Sequence, residues 1–263
     1  MSFLKTCLRA ASALLAPQSC VLCEEWVLEE DLSPLCRSCL QALPRLPARL
    51  CNRCGIPVPG DVLQTDVLCG ACRFKPPHFD SARAWGPYRG DLRKLLHAFK
   101  FQGLRRLAHP LAGLLEDRAC WPSPGARPDW LIPIPSHPRR VRQRGFNPPG
   151  LLGRLLARRL ALPLFTHVCR TRHTAPQTGL TEVDRRHNLT GAFRVSRPEL
   201  LEGKRVVLLD DILTTGTTAS ELALTLKESV AVQWIEVLTL ARVIRWTSEA
   251  ATLGTSYQQS NNL

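Results

Sequence analysis

Two groups of residues in this chain have types and spacings that could do chemistry. The first is Val206-Val-Leu-Leu-Asp210-Asp211-Ile-Leu-Thr214-Thr215-Gly216-Thr217-Thr218. Apolar residues lead into two adjacent acids, then a Thr/Gly turn, then a segment with helical spacing. The carboxyl end of a parallel strand is where ligands bind in open α/β sheets. A helix entered through such a turn offers backbone N–H groups and a favourable dipole to phosphate. Gly216 lets the backbone approach closely, and the threonine hydroxyls can donate to phosphate oxygens. Paired acids at a strand end can accept hydrogen bonds from a sugar diol. An acidic turn with a threonine N-cap explains either half of the pattern alone. Both halves together, behind an apolar strand, point to a sugar phosphate.

The second group is the cysteines. The chain has 11, eight of them in four CxxC pairs: Cys20/Cys23, Cys36/Cys39, Cys51/Cys54 and Cys69/Cys72. Twelve residues separate the first pair from the second, and 14 the third from the fourth. In a reducing compartment this is metal-ligand spacing rather than a disulfide pattern. Two knuckles complete a tetrahedral four-thiolate zinc site with no open position for water, so its expected role is structural. Four pairs imply two Zn2+ ions. Sequential pairing is the simplest scheme, and the spacing leaves an interleaved one open. Cys7, Cys120 and Cys169 stand alone and are expected to be ordinary buried residues.

The net charge is +13, and most of it is local. Between Arg139 and Arg197 lie 13 Arg, no Lys, and only Glu182 and Asp184 as acids, for a net +11. Arg is favoured over Lys where planar, bidentate phosphate recognition matters. Phosphate or nucleic-acid contact is the expectation, with a merely solvated basic surface as the alternative.

The elements that must position these groups follow from periodicity. Phe3, Leu4, Cys7, Leu8, Ala11, Leu14 and Leu15 recur at helical spacing, so residues 1–17 read as a short amphipathic helix rather than a secretory leader, whose apolar run Lys5 and Arg9 would interrupt. A cytoplasmic location is expected, and no apolar run reaches membrane-spanning length. Residues 18–75 form the cysteine-rich module, stapled by metal because its own core is small. Lys75-Pro76-Pro77 reads as a stiff hinge. From 79 to 245 strands alternate with helices: Ala82–Tyr88, Trp130–Pro135, Arg205–Leu209 and Val232–Leu240 as strands; Asp91–Phe101, Leu104–Leu115, Leu151–Leu160 and Thr217–Lys227 as helices. On the Asp91–Phe101 helix, Leu92, Leu95, Leu96 and Phe99 share one face. That alternation predicts an α/β fold, a mainly parallel sheet with helices on both faces. Residues 246–263 are polar and expected to be disordered.

With these residues in view, the chain resembles the ComF/GntX family: a double zinc ribbon followed by a type I phosphoribosyltransferase domain. Residues 206–218 look like the signature by which that fold binds phosphoribosyl pyrophosphate (PRPP). The likeness extends through Ile132-Pro-Ile-Pro-Ser-His-Pro-Arg-Arg-Val-Arg-Gln-Arg-Gly-Phe-Asn147, Arg170-Thr-Arg-His-Thr-Ala-Pro-Gln177, Arg185-Arg-His-Asn188 and Ala192-Phe193. Two departures stand out. Pro148-Pro149-Gly150 follows Asn147 where the family commonly has Gln and a small residue, and the loop after Glu228 lacks the usual glycine.

The resemblance implies roles for particular residues. Asp210 and Asp211 would bind the ribose hydroxyls, and Thr214, Thr215, Gly216, Thr217 and Thr218 would cradle the 5-phosphate. Ser136, His137 and Arg139 would lie nearest the pyrophosphate, although His137 could equally be a capping imidazole. Arg140, Arg142 and Arg144 could meet further phosphates or a nucleic-acid backbone. Residues 170–188 match a loop that closes over substrate; His173 and His187 are weaker candidates. Mg2+ would accompany PRPP. The implied setting is DNA uptake in competence, with single-stranded DNA and a DNA-uptake helicase as partners. Two other readings stay open: an active phosphoribosyltransferase with an unknown acceptor, and a zinc-ribbon scaffold for a protein partner. No residue stands out as a general acid or base. Stacking platforms for single strands are expected under the DNA reading, yet Phe146, Phe165 and Phe193, the aromatics of the Arg-rich stretch, could all be core.

Overall fold

The computed structural model describes residues 18–27, 33–60, 67–119, 121, 124–171 and 191–244. The expected N-terminal helix, the tail, Cys7, Cys120, His173, His187 and most of the expected closing loop lie outside the described residues.

Strands β3 (Ser81–Pro87), β4 (Trp130–Pro133), β7 (Arg205–Leu213) and β8 (Trp234–Arg242) form one sheet in the order β3-β8-β7-β4, parallel throughout. Their near-continuous apolar runs suit a sheet buried on both faces. One face carries α3 (Gly90–Phe101), α4 (Ala108–Arg118) and α6 (Pro148–Leu160). There Leu92, Leu95, Leu96 and Phe99 of α3 meet Leu111 and Leu115 of α4 and Leu152 and Leu156 of α6. The other face carries α7 (Thr217–Ser229), whose Ala219, Leu222, Ala223 and Leu226 pack with Phe165 and Phe193. An antiparallel ribbon, β5 (Val168–Arg170) with β6 (Phe193–Val195), flanks this second core.

Adjacent strands β4 and β7 send their connections to opposite faces. β4 feeds α5 (Pro138–Arg144) and then α6, while β7 feeds α7 on the other side. Diverging connections open a crevice at the carboxyl ends of the two strands, and that crevice is where open α/β sheets bind ligands.

The cysteine-rich module contains the β1–β2 hairpin (Gln18–Ser19 with Trp26–Val27) and two short helices, α1 (Arg37–Gln41) and α2 (Gly70–Phe74). It does not stand apart from the sheet. Cys20, Leu35 and Leu43 join the core that contains Trp85 of β3. Pro44 packs so tightly that a Cβ on Gly86 would lie 2.4 Å from its carbonyl oxygen. The module therefore covers the edge strand β3, an edge that would otherwise be open to pairing.

Several boundaries differ from the periodicity. β7 does not end at Leu209 but runs through both acids to Leu213, and β8 runs from Trp234 to Arg242, because each strand's length is set by its ladder partner. The helix expected from Leu104 begins instead as a 3-10 turn at Arg105–Leu107, with α4 starting at Ala108. Pro110 explains the shift, since proline fits an α-helix only in its first turn. For the same reason α6 starts earlier than expected, with Pro148 and Pro149 as its first two residues. Asn147, the N-cap, makes no side-chain cap bond there. Without a glycine, α7 stops at Ser229, whose hydroxyl donates to the Thr225 carbonyl at 2.7 Å, and Val230 is extended. Cys169 is exposed, not buried: it sits on the outward side of the β5–β6 ribbon, where alternate residues face solvent. Among the described residues, no helix is long and apolar enough to cross a membrane.

Candidate functional site

The eight paired cysteines fall into two clusters in sequence order, Cys20/Cys23/Cys36/Cys39 and Cys51/Cys54/Cys69/Cys72, with the sulfurs of each within 4.8 Å of one another. Cys23 and Cys36 Sγ lie 3.7 Å apart, and Cys54 and Cys69 Sγ 3.6 Å apart. A zinc tetrahedron with Zn–S bonds of about 2.3 Å has edges of about 3.8 Å, so the donor set and spacing fit two structural zinc ions. The peptide N–H groups of Leu22 and Cys36 point at Cys20 Sγ, and that of Cys69 at Cys51 Sγ. Such donors favour thiolates. Within each cluster the thiols pull apart: Cys51 is pushed down to about 4, first by its hydrogen bond with Cys54, which that bond pushes up, and Cys36 to about 6, first by the Ser38 hydroxyl, while burial pushes Cys39 up.

The crevice beyond β4 and β7 is a cleft of about 240 Å3. Asp210 and Asp211 sit in its floor, held by the β7 ladder rather than by a mobile turn. Asp211 is buried, and its Oδ1 takes an ion pair from Lys100 Nζ of α3 at 2.8 Å. The Asp211 amide donates to Asp210 Oδ1 at 2.9 Å. Asp210 is pushed up to about 7, first by its enclosure and then by the Asp211 charge, with Lys100 pulling the other way. Arg140, Arg144 and Arg170 complete the lining with Tyr88 and Ser136. Among the described residues, four cations against two acids make a cleft suited to an anion that also carries hydroxyls.

The Thr/Gly loop closes one wall. Gly216 has φ +80° and serves as N-cap of α7, a left-handed conformation that other residues rarely adopt. Gly216 has no side chain to cap α7, and the amide of Thr217, its first residue, donates instead to the Thr215 hydroxyl at 3.4 Å, while Gly216 and Thr218 line the cleft. Thr215 and Thr217 hydroxyls are 2.7 Å apart and brace the loop. Behind it Arg242, 6% exposed, donates from Nε to the Cys54 carbonyl at 3.1 Å and from Nη1 to the carbonyls of Leu213, Thr214 and Val243. One guanidinium thus ties a knuckle of the second cysteine cluster to the turn that leaves β7.

Residues 11–73 match the double zinc ribbon domain, and residues 151–252 the phosphoribosyl transferase domain. The chain is 35% identical over 193 residues to the DNA utilization protein YhgH of Escherichia coli O157:H7, covering 72% of this chain and 82% of that one. It is 34% identical over 214 residues to competence protein F of Haemophilus influenzae, covering 79% and 90%. The chain belongs to the ComF/GntX family. A more distant member, competence protein ComFC of Bacillus subtilis, is 24% identical over 85% of this chain and 94% of its own. The fold is that of a type I phosphoribosyltransferase, preceded by four-cysteine zinc ribbons.

Of the residues that the family resemblance singles out, Ser136, Thr214, Gly216 and Thr218 line the cleft with the two acids. His137 is the N-cap of α5, its Nδ1 accepting from the Arg139 amide at 3.1 Å. Neither it nor Arg139 is among the residues lining the cleft. Thr215 and Thr217 line a second cavity, of about 330 Å3, between the loop and the second cysteine cluster. Arg140 and Arg144, read as nucleic-acid contacts, line the cleft itself, while Arg142 is exposed outside it. Lys100, Tyr88 and Arg242 escape a reading of motifs. The one signal for Lys100 is its place beside Phe99, at the edge of the buried stripe of α3.

Proposed function

We propose that the cleft binds PRPP or a closely related ribose phosphate, and that the protein acts in the handling of incoming single-stranded DNA during competence. The observation that carries the reading is the joint floor of the cleft: two acids fixed in a strand, the N-terminus of α7 behind a Thr/Gly turn and, among the described residues, four cations lining the same space. Asp210 would accept hydrogen bonds from the ribose diol, and Asp211, neutralised by Lys100, would support it without repelling the phosphates. The loop from Thr214 to Thr218 would hold the 5-phosphate through backbone N–H groups and hydroxyls. Ser136, Arg140, Arg144 and Arg170 would hold the pyrophosphate, with His137 and Arg139 shaping the α5 turn that presents them. Mg2+ would arrive with PRPP, held mostly by ligand oxygens as its small, strongly hydrated shell prefers.

If the site turns over, a nitrogen nucleophile forms a bond to C1 of the ribose as the bond from C1 to pyrophosphate breaks. Pyrophosphate leaves with the bonding electrons, and the nucleophile loses its proton to solvent. The protein's share is positioning and neutralisation of the leaving charge by the arginines. The DNA setting rests on the names borne by the relatives, DNA utilization protein and competence protein, and on the basic rim formed by Arg139, Arg140 and Arg142. A DNA-uptake helicase is the partner this setting calls for. The scaffold reading has its own support, since Trp26 and Phe74 of the cysteine-rich module are 66% and 93% exposed.

The test is Asp210→Asn combined with Asp211→Asn. Binding of Mg2+-PRPP should be lost, while the far-ultraviolet spectrum and zinc content stay at wild-type values. Retained affinity would remove the acids from the site.

A further inference from the structure

Buried aromatics cannot serve a single strand, and Phe146, Phe165 and Phe193 are 9%, 1% and 5% exposed. An aromatic outside the Arg-rich stretch can. Phe101, the last residue of α3, is 59% exposed. The Arg144 guanidinium lies 4.7 Å from its ring centroid, and the His97 ring 4.9 Å away at 40°. Arg144 also lines the cleft, as does Lys100, the neighbour of Phe101 in the chain. Phe101 therefore stands at the mouth of the ribose-phosphate site.

It also ends a stripe. Arg93, His97 and Phe101 follow one another at intervals of four along α3, one above the other on an exposed side of the helix. At the far end the Arg93 guanidinium lies 6.0 Å from the ring centroid of Tyr88, which lines the cleft. Beside Phe101, Arg105 donates to the Gly145 carbonyl at 2.7 Å and covers Phe146. From Tyr88 to Arg144 the stripe thus carries the Tyr88, His97 and Phe101 rings with the Arg93 and Arg144 guanidinium groups against its two ends. A run of aromatic faces tracked by a positive rim is how proteins hold single strands without reading sequence, the rings stacking bases and the cations following phosphates.

We infer that Phe101 is a stacking platform for a base of single-stranded DNA, whose phosphates run along Arg93, Arg105 and Arg144 and whose bound nucleotide lies next to the ribose-phosphate cleft. A solvent-exposed phenylalanine costs solubility and contributes nothing to the core. Its place against the Arg144 guanidinium beside an anion cleft accounts for it. The inference builds on the proposed ribose-phosphate site, because the cleft gives the strand its reason to lie there.

The experiment measures equilibrium binding of zinc-loaded full-length protein to a fluorescent dT12 strand and to an abasic strand of equal length and charge. Wild type should prefer dT12 by about tenfold or more, the usual effect of one base stacked on a ring. Phe101→Ala should bind both strands like the abasic one, and Phe101→Trp should restore the preference. The side chain is exposed, so both variants should fold. Phe101→Ala that keeps the preference for dT12 overturns the platform. Mg2+-PRPP binding, followed in the same preparations, should be unchanged in Phe101→Ala. Wild type that binds PRPP yet shows no preference for bases overturns the platform alone; wild type that binds neither overturns the cleft assignment with it.

Discussion

Arg242→Met isolates the link between the second cysteine cluster and the Thr/Gly loop. Methionine keeps most of the stem's apolar volume and removes the donors that reach Cys54, Leu213, Thr214 and Val243. A buried acceptor left without its donor costs about 1–3 kcal/mol. Leu213 is buried, whereas Cys54, Thr214 and Val243 are partly open to water that can replace the guanidinium. The expected loss of stability is therefore about 2–4 kcal/mol rather than four full penalties. Part of that loss falls on the turn from Leu213 to Thr214, which sets the position of the loop, so PRPP affinity should drop about tenfold. Urea unfolding reports the first effect and calorimetry the second. The link runs in both directions. Stripping zinc from wild type should weaken PRPP binding as the substitution does, and stripping it from Arg242→Met should add little. Wild-type stability and affinity in Arg242→Met, or fully additive losses on zinc removal, would refute the reasoning.

Two further outcomes follow from the cleft. Burial and the Asp211 charge push Asp210 up to about 7 from an ordinary value of about 3.9, so its protonated form is favoured by the fold. Its contribution to stability is complete below about pH 4 and is lost as pH rises through 7. The carboxylate accepts from a diol more strongly than the neutral acid does, so PRPP affinity should rise by up to about tenfold between pH 6 and pH 8, and Asp210→Asn, measured in parallel, should lack that component. Arg140→Ala with Arg142→Ala should flatten the dependence of single-strand binding on salt, lowering the logarithmic slope by about 1.4. Arg142→Ala alone, outside the cleft, should weaken DNA binding and leave PRPP affinity untouched; an unaltered salt slope in the double variant removes both residues from the interface.

The parts of the molecule legible in the sequence are those encoded locally. Cysteine spacing alone foretold two four-sulfur clusters, because a CxxC knuckle is a local turn. The stripe Leu92, Leu95, Leu96 and Phe99 foretold the buried face of α3, since helical periodicity is a property of neighbours. Residues 206–218 foretold a strand, a turn and a helix in that order. What the sequence hid depends on contacts between distant segments. β7 carries its acids inside the ladder because β8 pairs with it as far as Leu213. Lys100 reaches Asp211 across 111 positions of chain, and Arg242 reaches Cys54 across 188. The excess of arginine pointed to phosphate without saying which residues meet it. Arg140, Arg144 and Arg170 enter the cleft, Arg154 and Arg158 lie on the exposed side of α6, and Arg159 pairs with Glu116 at 2.8 Å.

The most direct measurement is calorimetric titration of Mg2+-PRPP into zinc-loaded protein, alone and with saturating single-stranded DNA. Saturable binding of one PRPP per chain is expected, with an affinity that DNA shifts because the strand lies against the same cleft. An absence of PRPP binding to protein that still binds DNA would contradict it, and would leave the acids and the Thr/Gly loop as a grip for the strand alone.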